Sequence, residues 1–173
     1  MFNRILVPID GSDAGRQGLD EALRLAPPWG STLRLLYVTC AYPFARERAN
    51  KVDLEGYRHS LEQRGEYLLR DASALARKAG LAVETAVREL EHGTPASAIV
   101  AEAACSDCDL IVMGTRGRSV LARALAGSNA EEVVRKSSLP VLVVHRPKGR
   151  RRRAAVKPLR EVESMTVPIL MAP

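Results

Sequence analysis

The chain has 173 residues, 46% hydrophobic and 27% charged, which excludes wholesale disorder and gives length for one well-buried domain rather than two. Only 4% of residues are aromatic, which argues against a nucleic-acid platform built on base stacking. The formal charge of +6 divides unevenly: from Pro147 onward seven basic residues stand against two acidic ones, a net +5 that leaves +1 for the rest.

The opening M-F-N-R-I-L-V-P-I-D lacks the charged lead and long apolar run of a secretory signal, and no stretch is apolar enough to span a bilayer. Three cysteines without framework spacing suit a reducing compartment, so a cytoplasmic location without membrane insertion is expected.

Asn3 to Ile9 is an apolar run that predicts a first buried strand, and Asp10-Gly11-Ser12-Asp13 supplies turn chemistry and a helix N-cap. Leu19, Ala22, Leu23 and Ala26 recur at helical spacing until Pro27-Pro28 stops the helix. Leu33 to Val38 predicts strand two, and Cys40 to Gly56 is a connection without a firm period. Tyr57 to Lys78 carries a helical stripe through Leu61, Leu68, Ala72 and Leu75, with Gly80 as its C-cap. Leu81 to Val87 predicts strand three. Gly93-Thr94-Pro95 then caps a helix with Ala96, Ile99, Val100 and Ala103 on one face. Leu110 to Met113 predicts strand four, Asn129 to Lys136 a further helix, and Leu139 to His145 strand five.

Five alternations of strand and helix call for a doubly wound α/β domain, a five-stranded parallel sheet with helices on both faces. That domain covers residues 1–146, and 147–173 form a basic C-terminal tail. Ligands bind beyond the strand carboxyl ends of such sheets, where strand order reverses. Two strand ends carry unusual loops: Asp10-Gly11-Ser12, and the stretch after strand four with Gly114, Gly117, Gly127 and Ser128. Glycines let backbone N–H groups turn inward, and the start of the next helix adds unpaired N–H groups with partial positive charge. The pattern suits the phosphates of a nucleotide, with Asp10 toward its nucleoside end.

These residues resemble the universal stress protein family over about Met1 to Arg146. The spacing G-x2-G-x9-G-S is met in full by Gly114, Gly117, Gly127 and Ser128, and I-L-V-P-I-D-G-S at Ile5 to Ser12 and G-T-P-A at Gly93 to Ala96 accompany it. The resemblance implies strand order 3-2-1-4-5, a homodimer, and ATP or a related adenine nucleotide (ADP or AMP) in the cleft. Carried over by position, Pro8, Asp10 and Val38 would line the adenosine side. Gly114, Arg116 and Gly117 would reach the ribose and phosphates. Gly127, Ser128 and Asn129 would hold the phosphate tail. Family members often place a hydroxyl two positions after the serine; Ala130 stands there, which weakens the expected preference for triphosphate.

Several of these positions admit competing readings. Asp10 could serve the first helix as a cap, a role for which Ser12 and Asp13 compete. Arg116 and Arg118 could be solvated loop charges. Cys105-Ser-Asp-Cys108 invites a redox or zinc reading, but no second cysteine pair or histidine pair stands at ligand spacing, so no metal is assigned to protein side chains. Without a G-x4-G-K-[ST] loop the lysine-assisted ATPase apparatus is lacking and no catalytic residue stands out. A regulatory nucleotide binder with slow or no hydrolysis is therefore expected. A weak ATPase or nucleotidyl-transfer enzyme, with Mg or Mn riding on the phosphates, is the alternative. A third reading places function in the basic run Lys148 to Arg153, which would contact an acidic partner. Val141 to Val144 is apolar on both faces yet falls at a sheet edge, which predicts pairing with a second copy or cover by the tail's apolar Met165 to Met171.

Overall fold

In the computed structural model, which describes residues 2–39, 54–90, 92–115 and 129–145, the short apolar runs form strands and the 3.6-residue patterns form helices. In chain order these are β1 (Arg4–Pro8), α1 (Asp13–Leu25), a 3-10 turn (Pro27–Trp29), β2 (Thr32–Thr39), α2 (Leu54–Lys78), β3 (Val83–Glu89), α3 (Pro95–Cys105), β4 (Leu110–Gly114), α4 (Asn129–Lys136) and β5 (Val141–Val144). The strands make one sheet, ordered β3-β2-β1-β4-β5, with every pair parallel. The expected doubly wound order is the observed one.

Because strand side chains alternate between faces, the sheet divides its apolar residues between two cores. Ile5, Val7, Leu33 and Leu35 pack with Leu19 and Ala22 of α1 and with Leu69, Ala72 and Ala76 of α2. On the other face Leu6, Leu36 and Ile111 pack with Ala96, Ile99 and Ala103 of α3 and with Ala130 and Val133 of α4. Leu6, Leu33, Leu35, Leu36 and Ile111 are completely buried, and each such side chain contributes about 1.5–3 kcal/mol over its exposed state.

Part of the second face is closed by charge. Glu102 of α3 is 3% exposed and receives Arg34 Nη2 at 2.7 Å, Arg88 Nε at 2.6 Å and the Ser106 hydroxyl at 3.1 Å. Arg34 also reaches Glu84 at 3.2 Å, and Arg4 reaches the same carboxylate at 3.1 Å. Burial pushes the Glu102 carboxyl up, but the hydrogen bonds from Arg34, Arg88 and Ser106 outweigh it and hold the group below its ordinary value.

The element bounds differ from expectation where local hydrogen bonding decides them. α2 ends in a Schellman closure: Leu81 N–H donates to Ala76 O at 3.1 Å and Gly80 N–H to Arg77 O at 2.9 Å, with Gly80 at φ 77°. Leu81 is thus part of the helix end, and β3 starts at Val83. Before β5, Ser137 Oγ both donates to Leu139 O and accepts from Leu139 N–H, each at 3.0 Å, and Pro140 has no N–H to give, so pairing begins at Val141. α2 starts three residues before the predicted Tyr57, at Leu54.

Candidate functional site

Strand order reverses between β1 and β4, and the parallel pairing sets their carboxyl ends side by side. The crevice of a doubly wound sheet opens there. β1 ends at Pro8, and Ile9 N–H still donates to Leu36 O at 2.7 Å, so the chain remains extended up to Asp10. At Asp10 it turns. Asp10 Oδ1 accepts from Ser12 N–H at 2.9 Å and from the Ser12 hydroxyl at 2.7 Å, while Gly11 adopts φ 77°. Ser12 Oγ in turn accepts from Gly15 N–H at 3.1 Å, which makes Ser12 the N-cap of α1.

The competition for the cap is thereby resolved. Ser12 caps, Asp13 adds negative charge to the first turn, and Asp10 steadies the capping hydroxyl. Asp10 nonetheless remains exposed, so its carboxylate is open to solvent at the strand end.

Two neighbouring strands end beside this turn. β2 contributes Val38, half-buried against the second core, and Thr39, whose carbonyl accepts from Leu90 N–H at 2.8 Å. β4 contributes Gly114, followed by Thr115, whose N–H donates to Val144 O at 2.9 Å. Gly114 has a packing reason of its own. A Cβ there would run into the carbonyl oxygen of Ala14 and lie 2.7 Å from its carbonyl carbon. Reciprocally, a Cβ on Gly18 would lie 2.9 Å from Gly114 N. The first turns of α1 cross β4 in direct backbone contact, and both glycines are required for it.

α4 begins at Asn129, which is exposed, and it is latched to α3. Thr94 caps α3 by accepting from Ser97 N–H at 3.3 Å and donates its own proton to Glu132 Oε1 at 2.8 Å. Lys136 bridges Glu132 at 2.7 Å and Ser97 at 2.8 Å. The hydrogen bond from Lys136 and then that from Thr94 hold the Glu132 carboxyl below its ordinary value. Ala130 is 7% exposed and belongs to the second core, so its methyl has a packing role at the position the resemblance associates with a hydroxyl.

Of the residues singled out in the sequence, Pro8, Asp10, Val38 and Gly114 fall at the carboxyl ends of three adjacent strands, and Asn129 opens α4. Arg116, Gly117, Gly127 and Ser128 lie outside the described residues. Two further residues border the Asp10 loop. Tyr37 is 7% exposed; burial raises its phenol, the Arg64 guanidinium opposes that and the Asp10 carboxylate adds to it. Arg64 of α2 places Nη2 3.9 Å from the point a Gly11 Cβ would occupy. The sequence signal was Gly65, which breaks the α2 pattern: a Cβ there would strike the Tyr37 ring.

The two cysteines stand in different surroundings. Cys105 ends α3 and is exposed, whereas burial pushes the Cys108 thiol up to about 11; Arg4 and Arg34 oppose that shift, and Asp109 and Glu102 reinforce it. Asp109 is itself engaged, accepting from Asn3 N–H at 2.8 Å and Arg4 N–H at 3.0 Å. Among the described residues no group of three or more His, Cys, Asp or Glu is placed to hold a metal ion, and no helix is long and apolar enough to cross a membrane.

Comparison with known proteins agrees with this architecture. The profile of the universal stress protein family matches residues 1–145. The chain is 34% identical over 148 residues to universal stress protein MJ0531 of Methanocaldococcus jannaschii, covering 86% of this chain and 85% of that protein. Among solved structures it is similar to hypothetical protein MJ0577, with TM-score 0.71 and 26% identity over 86% of this chain and 99% of the other. It is also similar to a universal stress protein in complex with cAMP, with TM-score 0.61 and 27% identity over 83% of this chain and 97% of the other. On the family profile, the shared length and the common fold, this chain belongs to the universal stress protein family.

Proposed function

We propose that the chain is a regulatory protein that binds an adenine nucleotide, ATP foremost, in the crevice between β1 and β4, with slow or no hydrolysis. One observation carries the reading: β2, β1 and β4 are neighbours that end side by side, so Pro8, Asp10, Val38 and Gly114 fall at adjacent strand ends, and G-x2-G-x9-G-S starts at Gly114 and ends where α4 begins. The relative solved with cAMP supports an adenine nucleotide as the ligand class.

Asp10 and Val38 take the nucleoside end. Gly114, Arg116 and Gly117 meet the ribose and inner phosphates, and Gly127, Ser128 and Asn129 close on the outer ones with helix-start N–H groups. A divalent ion, Mg or Mn, is held through the phosphates. The chain lacks a P-loop lysine, and Asp10 already accepts two hydrogen bonds from Ser12, which leaves it poorly suited as a general base. Occupancy then acts on conformation or association rather than on turnover.

The association surface is the β5 edge. Val143 is 38% exposed and Val134 of the adjoining α4 52%, an apolar margin beside an edge strand that is unpaired among the described residues and that a second copy covers about a two-fold axis. The protein works in the cytoplasm. Calorimetric titration with ATP, ADP, AMP and cAMP, alongside phosphate release, tests the proposal. Binding that is lost in Gly117→Asp, with phosphate release at background, is expected. Absence of binding to all four refutes the reading, and release well above background that disappears in Gly117→Asp refutes its non-enzymatic part.

A further inference from the structure

An apolar groove lies at the end of the sheet opposite the nucleotide crevice. Phe2, Leu25, Trp29, Leu110, Pro140 and Leu142 are among its lining residues, and they come from the amino-terminal sides of β1, β4 and β5, from the last residue of α1 and from the 3-10 turn after it. Its volume is about 270 Å³, and among the described residues that line it the only polar side-chain group is the indole N–H of Trp29. A small-molecule site has convergent polar groups that orient the ligand, and the described residues supply none to this groove. Its mouth carries two large exposed apolar side chains, Trp29 at 41% and Leu142 at 37%, with the Phe2 ring 6.0 Å from that of Trp29. It has the chemistry of a receptor for aliphatic side chains.

The same chain supplies a matching segment. The described residues end at His145, one residue past β5, the strand that forms one wall of the groove. Beyond a strongly basic stretch comes Met165-Thr-Val-Pro-Ile-Leu-Met171, the one apolar run of the tail. The 19 residues 146–164 reach up to roughly 60 Å when extended. Passing back along the four residues of β5 takes only roughly 13 Å. Tethering at that distance makes docking intramolecular, so a modest apolar contact outcompetes the same segment free in solution.

We infer that Met165 to Met171 docks in this groove of its own chain, with Val167, Ile169 and Leu170 supplying the side chains that fill it. Pro168 fits this mode, since it lowers the conformational freedom that docking removes and cannot extend a ladder of backbone hydrogen bonds. Nucleotide binding and tail docking then occupy opposite ends of the sheet.

Trp29 is the only tryptophan in the sequence and stands at the groove mouth, so its fluorescence reads occupancy in the full-length protein. The experiment compares wild type with Ile169→Asp/Leu170→Asp by emission wavelength and acrylamide quenching. Both proteins are measured at concentrations above and below dimer dissociation, with circular dichroism to confirm an unchanged fold. The inference expects a red shift and faster quenching in the double variant, of equal size at every concentration. Identical emission in the two proteins overturns it. So does a difference present only at high concentration, which assigns the groove to a segment of a second copy.

Discussion

Replacing Gly114 by alanine tests whether the strand-end crevice is built as described. The added methyl would meet three atoms of Ala14, its carbonyl oxygen, its carbonyl carbon at 2.7 Å and its Cα at 3.1 Å. All three are backbone atoms, so no rotamer change relieves the contact. The first turn of α1 must lift off β4, and the Asp10–Ser12 cap moves with it. Overpacking costs about 1–3 kcal/mol, and the rigid partner puts this case at about 3. At roughly 2–4 °C per kcal/mol for a chain of this size, melting falls by roughly 6–12 °C.

Gly80→Ala is the control. Nothing lies within 4 Å of its Cβ position, and its only strain is φ 77°, so it loses about 1 kcal/mol. Differential scanning calorimetry on both variants decides the matter. A Gly114→Ala protein that melts with wild type, or no lower than Gly80→Ala, refutes the direct contact between α1 and β4.

Glu102→Ala leaves Arg34, 17% exposed, without its closest carboxylate and is expected to cost about 3–5 kcal/mol by urea denaturation. Because the folded-state pKa of Glu102 lies below the ordinary 4.5, its contribution is complete above that value and is lost as pH falls through the lower folded one. Wild type therefore shows a larger fall in urea midpoint on acidification than Glu102→Gln, which keeps only the contribution of other carboxylates such as Glu132; identical pH profiles contradict this. Ser12→Ala removes the cap of α1, at about 1 kcal/mol, and its effect is non-additive with Asp10→Asn because Ser12 bonds Asp10 directly. Additive loss in the double mutant would count against the coupled turn. In native protein Cys105 is expected to alkylate with iodoacetamide well before Cys108, whose thiol is buried and pushed up to about 11. Peptide mapping that finds equal labelling contradicts the buried assignment.

The alternation of strands and helices was legible because local chemistry and tertiary structure agree there. Pro27-Pro28 does stop α1, Gly80 does take the left-handed cap, and Thr94-Pro95 does open α3. The strand bounds were less legible, since apolar Leu81 and Leu139 read as strand while a helix closure and a serine turn claim their backbones. Glu102 escaped the sequence reading altogether. A single acid in the apolar run of α3 gives no local sign of partners 14 and 68 residues away.

At the crevice, Asp10 and Gly114 were found as candidate ligand contacts, but each also has a structural duty visible only in three dimensions. Asp10 steadies the α1 cap, and Gly114 admits the Ala14 backbone. Arg64 and Tyr37 escaped notice because they belong to α2 and β2 and meet the Asp10 loop only through the fold.

The measurement that bears most directly on the central claim is mass analysis of small molecules released from the freshly purified, denatured full-length protein, paired with ATP titration of the emptied protein. A bound adenine nucleotide, with ATP affinity that Gly117→Asp abolishes, is the expected result. A clean blank together with no ATP binding at millimolar concentration contradicts the account.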